Sequence, residues 1–335
     1  MKILFFTRRF WPEIGGVEKH CLEVGRVLTQ KGHKVTVVTE LPLDKKLSLN
    51  DEIDGIRVFR IPIVASAKGK KFVIWKWLLK NKKIMEDSDV IHCHDVFYWY
   101  LPFKFLFWNK KVFVTFHGWE GFYPPRISAK IIRKISEIFS NGNICIGKYI
   151  EKWYGTKANL VSYGAVKIEK KFDVKKFDML FIGRLEKDTG LPVFLNAIEK
   201  LAKKRTKVIF LGDGSLKKEA GEVGEVIGAV DNVQDYIRAS KFVLTSGYLS
   251  ILEAQLNKKL VFATFDNPLK RDYLKMSPFK DKIIIEESPD ALSKKIDFFW
   301  KNKKKAERKI EISYNWAKTQ TWEKLVEKYL NLWKR

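Results

Sequence analysis

The residues best suited to chemistry in this 335-residue chain lie in five short stretches. Gly183-Arg184 ends the apolar run Met179–Ile182, where a guanidinium can hold a diphosphate through two parallel bonds and stabilise charge as it departs. A surface ion pair with Glu186 is the alternative use of that arginine. Gly212-Asp213-Gly214 ends a second apolar run, Lys207–Leu211, as a tight turn with little side chain. Ser250 and Glu253 have capping-box spacing, Ser250 at the N-cap and Glu253 at the third helical position. With Gly247 just ahead, that helix start could also offer amides to a phosphate and a carboxylate to two ribose hydroxyls. Gly15 and Gly16 precede a helix and would let backbone amides approach a phosphate or sugar, or simply form a turn. His117, past the run Val114–Phe116 and before Gly118, could donate to a sugar hydroxyl or a developing oxyanion, or be structural.

Such residues work together only if the chain brings them to one edge. Residues 1–166 alternate short apolar strands with helices: strands over Lys2–Phe6, Lys34–Val38, Ile56–Ile61, Val90–His92, Lys111–Thr115, Asn143–Cys145 and Asn159–Val161. The segment Gly16–Lys31 keeps Val17, Cys21, Val24, Val27 and Leu28 at helical spacing, and Gly32 closes it. A lysine-rich stretch, Lys167–Phe177, reads as a linker. A second βαβ series follows from Asp178, with a helix over Leu191–Lys203, strands at Phe242–Leu244, Leu260–Ala263 and Lys282–Ile285, and one closing helix near Ser313–Lys334. The class is α/β, with two doubly wound domains. In a parallel sheet, strand-to-helix turns share the edge where ligands bind. The stretches then describe a pocket for a phosphorylated, hydroxyl-rich ligand such as a nucleotide sugar.

Composition narrows the setting. The net charge is +25 and has no basic tail as its source: residues 1–166 hold 28 basic and 15 acidic side chains, a net +13, and the remainder hold 36 and 24, a net +12. Anionic partners such as nucleotide phosphates, lipid head groups or nucleic acid fit this balance, as does plain lysine-rich solvation. Cys21, Cys93 and Cys145 are scattered and suit a reducing cytoplasm. The opening strand is too short for a secretory leader, and the run Val96–Phe103 is far short of a membrane span. Lys68–Lys83 holds seven lysines, no acid and several aromatics, and Phe97–Lys111 adds eight aromatics and three lysines. These stretches suit contact with an anionic membrane surface or with single-stranded nucleic acid, or a core-facing helix with a solvated outer face. No nucleic-acid recognition module is present, so no nucleic-acid partner is expected. His92-Cys93-His94 places two histidines on one strand face. All five histidines precede residue 118, so no further ligand cluster and no metal or other cofactor is expected.

Taken in order, the motifs resemble a glycosyltransferase of the GT-B fold, specifically family 4, over nearly the whole chain. Pro12–Glu18, Asp89–His94, Val114–Gly118, Ser162–Val166, Phe181–Leu185, Ile209–Gly214, Leu252–Ala254 and Trp322–Tyr329 carry the resemblance. It implies two Rossmann-like domains facing across a cleft: residues 1–166 with a crossing helix at about 314–335 for the acceptor, and residues 167–313 for the donor. It implies transfer of a sugar from a nucleotide-diphosphate donor to a hydroxyl of a glycan or lipid-linked acceptor, with retention and without a metal. The catalytic residues implied are His117, Arg184 and Glu253. Donor contacts fall to Gly15, Gly16, Gly183, Arg184, Lys187, Thr189, Gly212, Gly214, Gly247, Ser250 and Glu253. Thr189 stands where the family has a lysine, with Lys187 the replacement charge, and Thr245 stands where it has a second glutamate. A nucleotide-sugar 2-epimerase and a non-catalytic sugar-binding scaffold remain the alternatives. The expected location is cytoplasmic, or peripheral at the inner membrane face.

Overall fold

The computed structural model describes residues 1–42, 46–63, 69–118, 121–168, 174–201 and 206–334. The chain forms two compact units: Met1–Ser162 with Trp322–Arg335, and Tyr163–Thr321. Lys68, Lys203 and residues 169–173 of the expected linker lie outside the described residues.

The first unit is built on an eight-stranded sheet of β1 (Lys2–Thr7), β2 (Lys34–Glu40), β3 (Asn50–Ile53), β4 (Ile56–Ile61), β5 (Val90–His94), β6 (Lys111–Phe116), β7 (Gly142–Ile146) and β8 (Leu160–Ser162). Its order is β3-β4-β2-β1-β5-β6-β7-β8. All neighbours are parallel except β3 and β4, which form an antiparallel hairpin. The central strands are apolar runs because helices cover both faces and water reaches neither. Ile3, Leu4, Phe5 and Phe6 are almost wholly buried. Strand β3 escaped the sequence reading because its residues, Asn50-Asp51-Glu52-Ile53, are polar and mostly exposed. Its signal was instead the turn Asp54-Gly55, with φ of 50° and 77°, a tight left-handed pair that Asp-Gly tolerates.

The second unit has six parallel strands, β9 (Phe177–Ile182), β10 (Val208–Leu211), β11 (Glu225–Gly228), β12 (Ser240–Leu244), β13 (Leu260–Thr264) and β14 (Ile284–Glu286). Their order is β11-β10-β9-β12-β13-β14. Phe181, Phe194, Phe210, Phe242 and Phe262 fill the core beside aliphatic residues. Strand β11 was also missed, since Glu225-Val226-Ile227-Gly228 is an edge strand with half-buried side chains.

One expectation fails at the C-terminus. The single closing helix is two, Lys303–Ala317 and Trp322–Trp333. The break falls at Lys318–Thr321, where the Gln320 carbonyl accepts from the Val166 amide. The first helix belongs to the second unit and the last helix to the first unit.

Candidate active site

In the second unit the chain leaves β9 toward β10 and β11 on one side, then returns through β12 to β13 and β14 on the other. The carboxyl ends of β9 and β12 therefore flank the switch point where open parallel sheets bind ligands. Gly183 and Arg184 follow β9, and Thr245, Ser246 and Gly247 follow β12.

The turns after β9 and β10 are fastened backbone to backbone. The Gly183 amide donates to the Leu211 carbonyl at 3.1 Å, and the Leu185 amide to the Asp213 carbonyl at 2.9 Å. A Cβ at Gly212 would lie 1.9 Å from the Gly183 carbonyl oxygen, and one at Gly214 would lie 2.4 Å from that of Leu185. Only glycine permits this approach. The tight turn expected at Gly212 and Gly214 thus has a geometric cause.

Arg184 is two-thirds exposed, and its Nη2 donates to Asp188 Oδ2 at 2.6 Å. The ion pair weighed for this arginine exists, but with Asp188 rather than Glu186. Glu186 instead accepts from the Ser215 amide at 2.8 Å and the Ser215 hydroxyl at 2.6 Å, and these bonds lower its pKa. The Thr189 hydroxyl donates to the carbonyls of Arg184 at 3.0 Å and Glu186 at 2.7 Å, closing the turn behind the arginine. Lys187 is exposed on that turn.

One cation was invisible in the sequence. Burial lowers the pKa of Lys270 to about 8; Asp188 and Asp266 act against this and Arg184 with it. Arg184, Asp188, Asp266 and Lys270 therefore share one electrostatic environment. Lys270 belongs to the helix Pro268–Lys275, more than eighty residues beyond Arg184, and only tertiary folding assembles the group.

The helix after β12 corrects the capping-box reading. It spans Tyr248–Leu256 with Gly247 at the N-cap, so Ser250 is the third helical residue and Glu253 lies in the second turn. The Tyr248 amide donates to the Tyr273 hydroxyl at 3.0 Å, and the two rings stack with centroids 3.8 Å apart. Intrahelical bonding begins at the Ile251 amide, which leaves the Leu249 and Ser250 amides at the tip. Glu253 is buried. Thr245 is fully buried, and its hydroxyl donates to the Ile182 carbonyl at 2.8 Å, tying β12 to β9.

In the first unit the switch point lies between β1 and β5. The loop after β1 leads to α1 (Gly16–Gln30), with Gly15 at its N-cap in extended conformation. A Cβ at Gly15 would lie 2.2 Å from Glu18 Oε2. The space at this helix start is thus taken by a carboxylate of the chain itself, which suits hydroxyl groups better than a phosphate. Burial raises the pKa of Glu18. A cavity of about 360 Å³ opens here, lined by Arg8, Arg9, Glu18, His94, Asp95 and Tyr98 among others.

His117 follows β6, half-buried, with its backbone amide donating to Asp95 Oδ1 at 3.0 Å. Its Nε2 is 2.9 Å from His94 Nδ1, and its ring is 4.7 Å from that of His20. The expectation of no further ligand cluster therefore fails: His20 from α1 joins His94 and His117. Sequence spacing held no sign of this, because the three rings come from three separate elements.

Behind them runs a buried chain of hydrogen bonds. Trp333 Nε1 donates to His92 Nδ1 at 3.0 Å, and a neutral His92 then donates from Nε2 to the Thr115 hydroxyl at 2.8 Å. Thr115 meets the Tyr329 hydroxyl at 2.9 Å, which meets His20 Nε2 at 2.8 Å. Burial lowers the pKa of His20 and of His92 to about 3 and those of His94 and His117 well below the usual value, so all four rings are neutral near pH 7.

Comparison with known proteins bears on the family and the fold. Residues 14–160 match the model of Glycosyltransferase Family 4, and residues 165–316 match that of Glycosyl transferases group 1. The phosphatidyl-myo-inositol mannosyltransferase of Mycolicibacterium smegmatis is 24% identical over 255 residues, covering 68% of this chain and 63% of the relative. The chain thus spans less than two thirds of the length of the curated relatives it matches. Sucrose-phosphate synthase from Thermosynechococcus elongatus superposes over 99% of this chain and 98% of its own, with a TM-score of 0.79 at 12% identity. TarM from S. aureus, in a complex that includes UDP and α-GlcNAc-glycerol, superposes over 100% of both chains with a TM-score of 0.76 at 13% identity. At such identities the structural likeness establishes the fold.

Proposed function

Because the chain is a GT-B glycosyltransferase of the family 4 type, we propose that it moves a sugar from a nucleotide-diphosphate donor to a hydroxyl of a glycan or lipid-linked acceptor, with retention and without a metal. The observation that carries this reading is the Gly183-Arg184 turn at the switch point of the second unit, with Lys270 electrostatically coupled to the arginine. A diphosphate arriving there replaces Asp188 as the partner of Arg184, exchanging one anion for another. Arg184, Lys187 and the Leu249 and Ser250 amides stabilise the departing diphosphate, and Glu253 holds the ribose hydroxyls. In the first unit, His117 is assigned to hydroxyls of the transferred sugar. As a neutral imidazole it can both donate and accept. The bond from the sugar to the diphosphate breaks while the acceptor hydroxyl attacks the same face, its proton leaving with the diphosphate.

The acceptor belongs with the cavity of the first unit. Glu18 and Asp95 suit hydroxyls and Arg8 and Arg9 suit an anionic group, which together fit a phosphorylated polyol or a lipid-linked glycan. Apolar residues of the lysine-rich helix divide: Ile74 and Leu78 are buried, whereas Phe72, Val73 and Leu79 are exposed. Phe105, Leu106 and Trp108 are exposed after β5, and the helix Ile127–Phe139 adds exposed Ile127, Ile131, Ile132 and Ile138, a feature the sequence reading passed over. Such a surface supports peripheral binding at an inner membrane face. No helix among the described residues is long and apolar enough to cross a membrane.

A non-catalytic, nucleotide-binding scaffold is the second reading, favoured by Thr245: a buried hydroxyl fastened to β9 stands where the family resemblance places a glutamate. A thermal-shift screen with UDP, GDP, ADP and their sugars, followed by a transfer assay with the one that binds, separates the two. Selective stabilisation with turnover supports transfer. Stabilisation without turnover of any tested acceptor favours the scaffold, and no stabilisation defeats both. Conversion of a nucleotide sugar with no acceptor present would indicate a 2-epimerase.

A further inference from the structure

The histidine cluster goes beyond this reading. His20, His94 and His117 each offer one ring nitrogen, and these three atoms all lie within 4.8 Å of one another. Zinc holds histidine nitrogen at about 2.0–2.1 Å, so nitrogens this close can share one ion after shifts of about 1 Å or less. His94 has more hydrogen-bonding capacity than its surroundings use. Its Nδ1 meets His117, while its Nε2 is buried without a partner among the described residues. A buried ring nitrogen in that state is unfavourable in either tautomer, and a bound cation would change its standing. His20 is held from behind by the Tyr329 hydroxyl, the outer-shell contact that orients metal-binding imidazoles. His94 also lines the cavity that carries Glu18 and Asp95, which gives a cation an entry path.

We propose that His20, His94 and His117 form a binding site for a divalent transition metal of the zinc type, and that the bound metal takes His117 away from the sugar and so inhibits transfer. The binding claim stands on the cluster alone. The inhibition rests on the assignment of His117 made above.

The test is a titration of the whole, metal-free protein with Co2+, read by visible absorption, and with Zn2+, read by equilibrium dialysis. One equivalent is expected, with an intense cobalt band of nitrogen-rich, low-coordinate type. His94→Gln and His20→Asn should each weaken uptake at least tenfold, while His33→Gln, at a separate, half-buried histidine, should leave it unchanged. A cobalt spectrum no different from the hydrated ion, or uptake that persists in folded His94→Gln, overturns the site. If the variants do not fold, the wild-type cobalt spectrum decides. Donor binding is measured without metal, so its failure would count against the proposed function and leave the metal result intact. Zn2+ binding with undiminished transfer would overturn the inhibition.

Discussion

At the scale of single residues, the Gly183-Arg184 turn and its neighbour Gly212 make the sharpest predictions. Arg184 is exposed and contributes little to stability through Asp188, since exposed ion pairs contribute about 0–1 kcal/mol. Arg184→Ala should therefore leave the melting temperature within a few degrees of wild type. It should lower turnover about a hundredfold or more if the guanidinium stabilises the leaving diphosphate. Steady-state kinetics on the folded variant check this, and an unchanged kcat would remove Arg184 from the mechanism. Gly212→Ala should behave in the opposite way. Its methyl group would sit 1.9 Å from a backbone carbonyl oxygen at a φ of 145°, and neither partner is a flexible side chain. We expect a loss of at least about 2 kcal/mol in urea unfolding, a clash-and-strain effect of the kind that dominates large mutational losses.

At the scale of elements, the last helix and the strand ends of the first unit share a polar network with no exposed members. Tyr329→Phe removes one hydroxyl that serves both His20 and Thr115. Leaving buried polar groups without partners costs about 1–3 kcal/mol, and urea denaturation should show a loss in that range. The same network predicts a pH dependence. His20 and His92 titrate near 3 when folded and near 6.5 when unfolded. Below pH 6.5 the unfolded chain therefore binds protons that the folded chain refuses. The stabilising contribution is complete above that value and is lost as the pH falls toward 3, at up to roughly 1.4 kcal/mol per pH unit for each ring. The urea midpoint should drop between pH 7 and pH 5, and a flat midpoint would show that these rings are not held neutral.

At the scale of the whole molecule, a charge of +25 and the exposed aromatic side chains of the first unit predict binding to anionic vesicles. Co-sedimentation with vesicles of phosphatidylglycerol should exceed that with phosphatidylcholine and weaken with salt. Phe105→Ser with Trp108→Ser should reduce it further without lowering the melting temperature, because both side chains are more than 70% exposed. Binding indifferent to lipid charge would count against a membrane-bound acceptor.

What the sequence determined was everything that local chemistry encodes. Apolar runs such as Leu4-Phe5-Phe6 and Leu180-Phe181-Ile182 must be buried on both faces, so the parallel sheets and the glycine turns that end their strands were legible. Turns at one sheet edge follow from that topology, and so the two turns Gly183-Arg184 and Gly212-Asp213-Gly214 could be placed together in advance. The tertiary structure alone decided what depends on distant elements meeting. It gave Arg184 the neighbour Lys270, started the helix at Tyr248 so that Ser250 lost its cap, and divided the C-terminal helix in two. It also gathered His20, His94 and His117 from a helix, a strand end and a loop. Periodicity reports which face of an element is buried, but not which other element covers it. The covering element determines which side chains share a site, what each one bonds to and whether it keeps its charge.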